Sequence, residues 1–282
     1  MKCDFHFHSE FSDGSESVDH IFELAAASGV RALALTDHDT VLGIPSEAEA
    51  SAKYRIPFIP AAEFTAKEDG IKFHVLGFHL NYRSQELIRY SSKLLDYMNE
   101  RSRRQIAKMQ ENGIDIPEEA FFRKAGGGPL YRAKLLRTLA DAGYIKQEDV
   151  MSLLPSYFGK GAPYYEEDGF EYNSFQQTCD LIRRNGGIVV LAHPAKVLKK
   201  SEALYQRLIH SQLLDGLEIF HPSNTPEVRQ ELMEIVRQNH LIDTGGTDFH
   251  GLNMKHPIPI GSEAIPDEVS NTLRQYFVTG FN

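Results

Sequence analysis

Residues 32–39, ALALTDHD, indicate the fold class because a run of small apolar residues ends abruptly in hydrogen-bonding and ionisable side chains. Such a run predicts a buried β-strand, and the polar residues mark its carboxyl end. Six other segments have a similar β-like composition, with helical patterns between most of them: 3–8, 58–64, 71–78, 187–193, 216–221 and 242–248. The chain is therefore predicted to contain seven strands in an α/β order.

Alternation of strands and helices predicts parallel strands joined by crossover helices, and seven strands suggest a barrel slightly smaller than the eight-stranded kind. One such helix is predicted over 17–28, where Ser17 can cap the first turn and Gly29 ends the helix. We expect a distorted (β/α)7 TIM-like barrel whose strand ends meet at one face.

Residues 83–172 interrupt this rhythm with a long charged helix over 84–112, a Gly-rich turn at 126–129 and further helices over 130–142. A structureless loop of this length would be unusual in a compact domain. We therefore expect a helical insertion over 83–172, and a barrel domain made of residues 1–82 and 173–282.

The net charge of −9 argues against a protein that holds long nucleic acid on a broad basic surface. The sequence shows no apolar signal core near its start and no run long enough to span a membrane, which predicts a cytoplasmic protein. Cys3 and Cys179 are too few for a disulfide framework, so both are expected to be reduced packing residues.

Ionisable residues recur at the predicted strand ends. His6 and His8 stand two apart in the first strand, so both side chains point to one side. Each of these residues alone could be a cap, a turn residue or a hydrogen-bonded core residue. Together they predict a metal cluster, because so many buried imidazoles and carboxylates would be costly without cations. The predicted ligands are His6, His8, Asp13, His38, Glu63, His74, His193, Asp248 and His250.

Nine such ligands exceed the needs of one ion, so two or three divalent ions are expected. Imidazole and carboxylate without thiolate suit Mn, Fe or Zn. Clusters of this kind activate a bound water and stabilise a phosphoryl group during in-line attack, which predicts hydrolysis of a phosphate ester.

These residues, in this order, resemble the polymerase and histidinol phosphatase (PHP) family of phosphoesterases. The resemblance covers the barrel segments, and its motifs are His6-x-His8, Asp13, Thr36-Asp37-His38-Asp39, Glu63, His74, Ala192-His193-Pro194 and Asp248-Phe249-His250. The family fold is a distorted (β/α)7 barrel, in agreement with the strands counted above.

The resemblance implies three ions. One would be held by His6, His8, Glu63 and Asp248; a second by Glu63, His74 and His193; a third by Asp13, His38 and His250. A hydroxide bridging the ions would attack phosphorus, with His193 or Asp248 handling protons, and Asp37 would orient a histidine.

Members with a helical insertion include nucleoside 3′,5′-bisphosphate phosphatases that also trim short RNA from the 5′ end. They carry an Arg-Pro-His segment where this chain has Gly128-Pro129-Leu130, so Arg132 or Lys134 is a candidate for the missing cation. The stretch 158–163 fits the family pattern and makes Lys160 a candidate phosphate contact. His221 is a further candidate substrate contact.

We therefore predict a phosphoesterase acting on a small phosphorylated metabolite or nucleotide, with no membrane and no obligate protein partner. The best guess is a nucleoside 3′,5′-bisphosphate or a short 5′-phosphorylated oligoribonucleotide. Histidinol phosphate is a rival substrate, and a non-catalytic metal-binding module and an amidohydrolase are rival classes.

Overall fold

The computed structural model describes residues 1–263 and 265–280 as a mixed α/β protein. Its strands are β1 (Asp4–Phe7), β2 (Leu33–Leu35), β3 (Ala61–Glu68), β4 (Ile71–Phe78), β5 (Ile188–Leu191), β6 (Gly216–Phe220) and β7 (Ile242–Gly245). All seven predicted strands are thus present, with shifted ends. The third begins at residue 61 rather than 58 and continues to residue 68.

The strands form two sheets, one with the order β1-β2 and one with the order β3-β4-β5-β6-β7. Isolated parallel bridges connect them: Phe7 pairs with Phe249 beyond β7, while Leu33 pairs with Phe58, and His38 with Glu63 in β3. The ends of the two sheets that carry the predicted ligands are therefore brought side by side.

The expectation that all strands run parallel is wrong for β4, which is antiparallel to both β3 and β5. The reason is a two-residue turn at Asp69-Gly70, where both residues have positive φ (51° and 78°). Two such residues make a type I′ turn, which reverses the chain into a hairpin rather than a crossover. His74 consequently reaches the site from the middle of β4, not from its carboxyl end.

Helices outside residues 83–172 follow the predicted alternation. They are α1 (Val18–Ala27), α2 (Ile44–Tyr54), α7 (Phe175–Arg184), α8 (Pro194–Leu198), α9 (Glu202–Ile209), α10 (Pro226–Asn239) and α11 (Asp267–Leu273). The prediction for α1 is confirmed, because the Ser17 hydroxyl accepts a hydrogen bond from the backbone N–H of His20. Cys3 and Cys179 are buried and unbridged, as expected.

The segment between β4 and β5 begins with four helices: α3 (Gln85–Glu111), α4 (Glu118–Phe122), α5 (Arg132–Asp141) and α6 (Val150–Phe158). The long helix predicted over 84–112 is confirmed as α3, capped by the Ser84 hydroxyl. Buried apolar residues from Ile106 to Phe158 pack together as a cluster of their own. Among the described residues, no helix is both long and apolar enough to cross a membrane.

Candidate metal centre

Glu63, on β3, lies at the middle of a group of buried and half-buried histidines. Its two carboxylate oxygens lie between 2.8 and 3.3 Å from five imidazole nitrogens, which belong to His6, His8, His38, His74 and His193. These histidines come from four separate places in the chain, namely β1, the loop after β2, β4 and the end of β5. A carboxylate with imidazoles on both oxygens has the chemistry of a bridging metal ligand.

The first group of potential ligands comprises His6, His8, Glu63 and Asp248, all of them buried. Oδ1 of Asp248 lies 3.4 Å from Nε2 of His6 and 3.2 Å from Nε2 of His8. Both ring nitrogens also face Oε2 of Glu63, at 3.3 and 3.2 Å. The four donors therefore converge on one small volume.

Two further groups lie on either side. Nδ1 of His74 and Nε2 of His193 approach Oε1 of Glu63 to 3.0 and 2.8 Å. On the other side, Nε2 of His250 lies 3.2 Å from Oδ1 of Asp13, whose Oδ2 lies 3.8 Å from Nε2 of His38. The structure thus brings all nine predicted ligands into one cluster.

Backbone strain marks two of these positions. His193 and Asp248 follow β5 and β7 with φ values of 28° and 54°, a region that residues other than glycine rarely occupy. The Asp248 turn is held by two buried anchors: its N–H donates to the carbonyl of His6, and the Asp4 carboxylate accepts from the N–H and hydroxyl of Thr247. Strain of this kind concentrates at functional sites.

Several buried ring nitrogens and carboxylate oxygens of the cluster make no hydrogen bond within the described part of the chain. They are Nε2 of His6, both ring nitrogens of His8, Oδ1 of Asp13, Nδ1 of His38, Oε2 of Glu63 and Nδ1 of His193. Unpaired buried polar atoms are costly and rare in folded proteins. Because most of them face one another across the three groups, the donor set fits divalent cations.

The charges in this cluster alter the protonation of its members. Burial would lower the pKa of His8, but the carboxylates of Asp248 and Glu63 raise it to about 10. The pKa of His6 is likewise raised well above its ordinary value by Glu218 and Glu63 in spite of burial. Burial lowers the pKa of His193 to about 3. The metal-free cluster therefore holds protons on His6 and His8, which a cation would displace.

Comparison with known proteins supports the same chemistry. The PHP domain family matches residues 4–246, which include every predicted ligand except Asp248 and His250. The chain belongs to the PHP domain family. The resemblance inferred from the sequence motifs is thereby confirmed.

Two curated relatives match this PHP chain over most of their length. A phosphoribosyl 1,2-cyclic phosphate 1,2-diphosphodiesterase from Eggerthella lenta is 29% identical, over 88% of this chain and 94% of its own. A 3′,5′-nucleoside bisphosphate phosphatase from Chromobacterium violaceum is 27% identical, over 88% and 86%. Both relatives are hydrolases of phosphoric esters.

A solved structure from Bifidobacterium adolescentis, assigned as a metal-dependent phosphoesterase, has a TM-score of 0.81 to this PHP protein. It is 24% identical, and the match covers 98% of this chain and 96% of that one. At this level of identity the likeness shows a shared fold.

Sequence analysis missed Glu218, a buried carboxylate on β6 of the PHP fold. Its Oε1 lies 2.7 Å from Nδ1 of His6, and its Oε2 accepts a hydrogen bond of 2.5 Å from the backbone N–H of His193. It therefore fixes the ring of one predicted ligand and the backbone of another. An acidic residue within an otherwise apolar strand, GLEIF at 216–220, is the sequence signal for this role.

Replacing Glu218 with Gln is expected to weaken binding of Mn²⁺ to the PHP centre by roughly 10- to 100-fold, the usual cost of losing a carboxylate behind a histidine ligand. Gln keeps the size of the side chain but removes the charge that orients His6. Isothermal titration calorimetry on metal-free protein would measure the change. Glu234→Gln, on the exposed face of α10, is the matched control, and equal affinities in the two variants would contradict this role.

Two further side chains contact the carboxylate of Asp248. Its Oδ2 pairs with Nζ of Lys196 at 2.6 Å and lies 3.3 Å from Nε2 of His221. Nδ1 of His221 accepts from the backbone N–H of Ser223, so Nε2 carries the proton and donates to Asp248. This buried ring therefore helps to position Asp248, and a substrate contact of His221 stays a prediction.

Asp37 and Lys134 also differ from expectation. Asp37 does not orient a histidine: its oxygens accept hydrogen bonds from the N–H and hydroxyl of Ser9 and from the hydroxyl of Ser12. Lys134 is buried on α5, and its ammonium donates to backbone carbonyls rather than facing the cavity. The helix phase turns Lys134 inward and leaves Arg132, two residues earlier, to line the cavity.

A cavity of about 540 Å³ opens directly from the cluster. Asp13, His38 and His74 lie at one end, and helices α3 and α6 supply apolar residues: Leu94, Met98, Met151, Leu154 and Phe158. Arg101 and Arg132 also line it, and the buried Nε of Arg132 makes no hydrogen bond to any residue that the structure describes. Lys160 is exposed and is not one of the lining residues, so its role as a phosphate contact stays a prediction.

Proposed function

We propose that this PHP protein hydrolyses the phosphate monoester of a nucleotide, with a nucleoside 3′,5′-bisphosphate as the best candidate and a short 5′-phosphorylated oligoribonucleotide as the next. One observation carries the proposal: the ligand cluster opens into a cavity that has two arginines, Arg101 and Arg132, and an apolar wall. Its volume of about 540 Å³ lies within the range of roughly 300–1,000 Å³ found for small-molecule sites.

The nine clustered residues are proposed to hold two or three ions of Mn, Fe or Zn, grouped as the family resemblance implies. When bound, such ions supply Lewis acidity and lower the pKa of a coordinated water. Glu63 would hold adjacent ions together, while Glu218 and Lys196 keep His6 and Asp248 in place. His193 and Asp248 are the two candidates for handling protons.

The rest of the cavity supports a nucleotide. A purine base is flat and largely apolar, and the wall formed by Met98, Leu154 and Phe158 can bury one. Arg132 can form charge-assisted hydrogen bonds to a second phosphate. Histidinol phosphate carries an ammonium group, which the guanidinium of Arg132 would repel, so it remains the less favoured alternative.

We also propose that residues 83–172 are a cap on a barrel formed by 1–82 and 173–282. The separate apolar cluster from Ile106 to Phe158 and the placement of insertion residues along the cavity support a cap. The bridges at Leu33 and Phe7 support a distorted seven-stranded barrel. A non-catalytic module would be expected to have lost ligands, whereas all nine converge here.

Phosphate release by the Mn-loaded protein tests the function. The panel contains adenosine 3′,5′-bisphosphate, AMP, histidinol phosphate and a 5′-phosphorylated dinucleotide, each with and without chelator. We expect kcat/KM for the bisphosphate to exceed that for AMP by at least about tenfold, since Arg132 contributes only when a second phosphate is present. Preference for histidinol phosphate, or no release from any ester, would overturn the proposal.

Arg132→Met is expected to raise KM for the bisphosphate by roughly 10- to 100-fold, because charged hydrogen bonds contribute about 1.5–3 kcal/mol. Hydrolysis of AMP should change by less than about threefold, since AMP lacks the second phosphate. Arg123→Met, an exposed arginine of the same insertion, is the control. Equal loss on both substrates would mean that Arg132 does not select the second phosphate.

A further inference from the structure

Lys134 is a buried lysine of the insertion. Among the described residues, its ammonium group hydrogen-bonds to backbone carbonyl oxygens and to no side chain. Its Nζ donates to the carbonyls of Ala125 (3.0 Å), Pro129 (3.3 Å) and Glu10. An ammonium group has three donors, and all three are used here. Two acceptors belong to the insertion, whereas Glu10 lies in the loop between β1 and α1.

This loop, residues 8–17, also carries Asp13. The glycine-rich turn of the insertion is in close backbone contact with this loop. A Cβ atom at Gly128 would lie 2.2 Å from the carbonyl oxygen of Phe11, and one at Gly126 would lie 2.7 Å from Cβ of Glu10. Only glycine permits such an approach, so the insertion and the loop are fitted to each other without space for a side chain.

The same helix reaches the loop that carries His250. Nε of Arg137, on α5, donates to Oδ1 of Asn253 at 3.1 Å, and its guanidinium also donates to the carbonyl of Leu252. Nδ2 of Asn253 in turn donates to the backbone carbonyl of Asp13 at 2.8 Å. Lys134 and Arg137 therefore hold the two loops that supply Asp13 and His250.

We infer that α5 acts as a clamp that positions Asp13 and His250, so that the third ion binds tightly only while the insertion is docked through Lys134 and Arg137. This inference rests on the proposed ligand role of Asp13, His38 and His250. Because Arg132 on the same helix lines the substrate cavity, one helix links the substrate pocket to the third ion. Lys134 and Arg137 are positioning residues and touch neither the ion nor the substrate.

The test measures how many Mn²⁺ ions bind per chain, and how tightly, in the full-length protein by calorimetry and electron paramagnetic resonance. In Lys134→Met the ion that depends on Asp13, identified as the one lost in Asp13→Asn, should bind roughly tenfold or more weakly, the usual effect of changing a residue that supports a metal ligand. The other ions should stay within about twofold of wild type. Lys124→Met, an exposed lysine of the insertion, should leave every ion unchanged.

Gly128→Ala is a second variant that tests the same inference without changing Lys134. The added methyl group must push the loop at Phe11 away, and we expect the same selective weakening of the ion that depends on Asp13. Gly169→Ala is the matched control, because a Cβ there would meet nothing within 4 Å. This pair keeps the inference falsifiable if Lys134→Met does not fold.

A double-mutant cycle separates positioning from general destabilisation. If Lys134 acts through Asp13, then Lys134→Met in an Asp13→Asn background should cause no further loss of ion affinity. Additive losses, or equal weakening of all ions, would overturn the clamp. A wild-type protein that binds only two ions, with Asp13→Asn binding the same two equally well, would instead refute the proposed third site, and the clamp with it.

Discussion

Glu63→Gln is expected to lower kcat/KM by roughly 10³-fold or more, equivalent to about 4 kcal/mol of transition-state stabilisation. Glu63 faces five imidazoles, so no other carboxylate described above serves as many predicted ligands. Gln has nearly the same volume but cannot carry the charge that would join two ions. We expect the variant to fold and to lose at least one bound ion, as measured by metal analysis after dialysis.

The matched control lies on the same strand. Glu68→Gln changes a carboxylate near the end of β3 that accepts a hydrogen bond from the backbone N–H of Phe175. Since it lies outside the cluster, turnover and ion content should stay within about twofold of wild type. Wild-type turnover in the Glu63 variant would refute the assignment of the cluster as the catalytic centre.

Binding of Mn²⁺ to the metal-free protein should weaken steeply as pH falls, by up to about 100-fold between pH 8 and pH 7. The pKa of His8 is raised to about 10 and that of His6 well above its ordinary value, so both rings are protonated in this window. A cation needs both rings neutral, and each displaced proton contributes up to tenfold per pH unit. Glu63 and Asp248 stay ionised because nearby histidines hold their pKa values well below the usual range in spite of burial.

Calorimetry in buffers of different ionisation enthalpy counts the protons released, and we expect about two for the first group. His20→Asn, an exposed histidine, should leave that number unchanged. Glu218→Gln should lower it, because its carboxylate helps to keep His6 protonated. Binding that releases no protons at any pH would show that these rings are already neutral.

The cluster could be predicted from sequence because it depends on strand ends, which short apolar runs mark clearly. The direction of each strand was harder to predict. β4 was expected to be parallel even though Asp69-Gly70, the signal for a tight hairpin, stands in the sequence. His74 still reaches the site, since a residue in the middle of a strand beside β3 lies near Glu63 whichever way that strand runs.

Roles that depend on tertiary packing were less predictable. Lys134 and Arg132 were equal candidates for a substrate cation, and only the packed helix shows that one faces backbone carbonyls and the other faces the cavity. Glu218 was missed because its partner His6 is more than 200 residues away in the chain. Local sequence does not reveal which of two acidic or basic side chains meets a distant partner.

The placement of the insertion also bears on how the chain folds. Phe78 of β4 pairs with Ile188 of β5, 110 positions later. Closing a flexible loop of that length costs roughly 4 kcal/mol of chain entropy, and such distant pairings form slowly. A helical segment that has already packed around its own apolar cluster shortens the effective loop. Early folding of this segment is therefore expected to speed the pairing of β4 with β5.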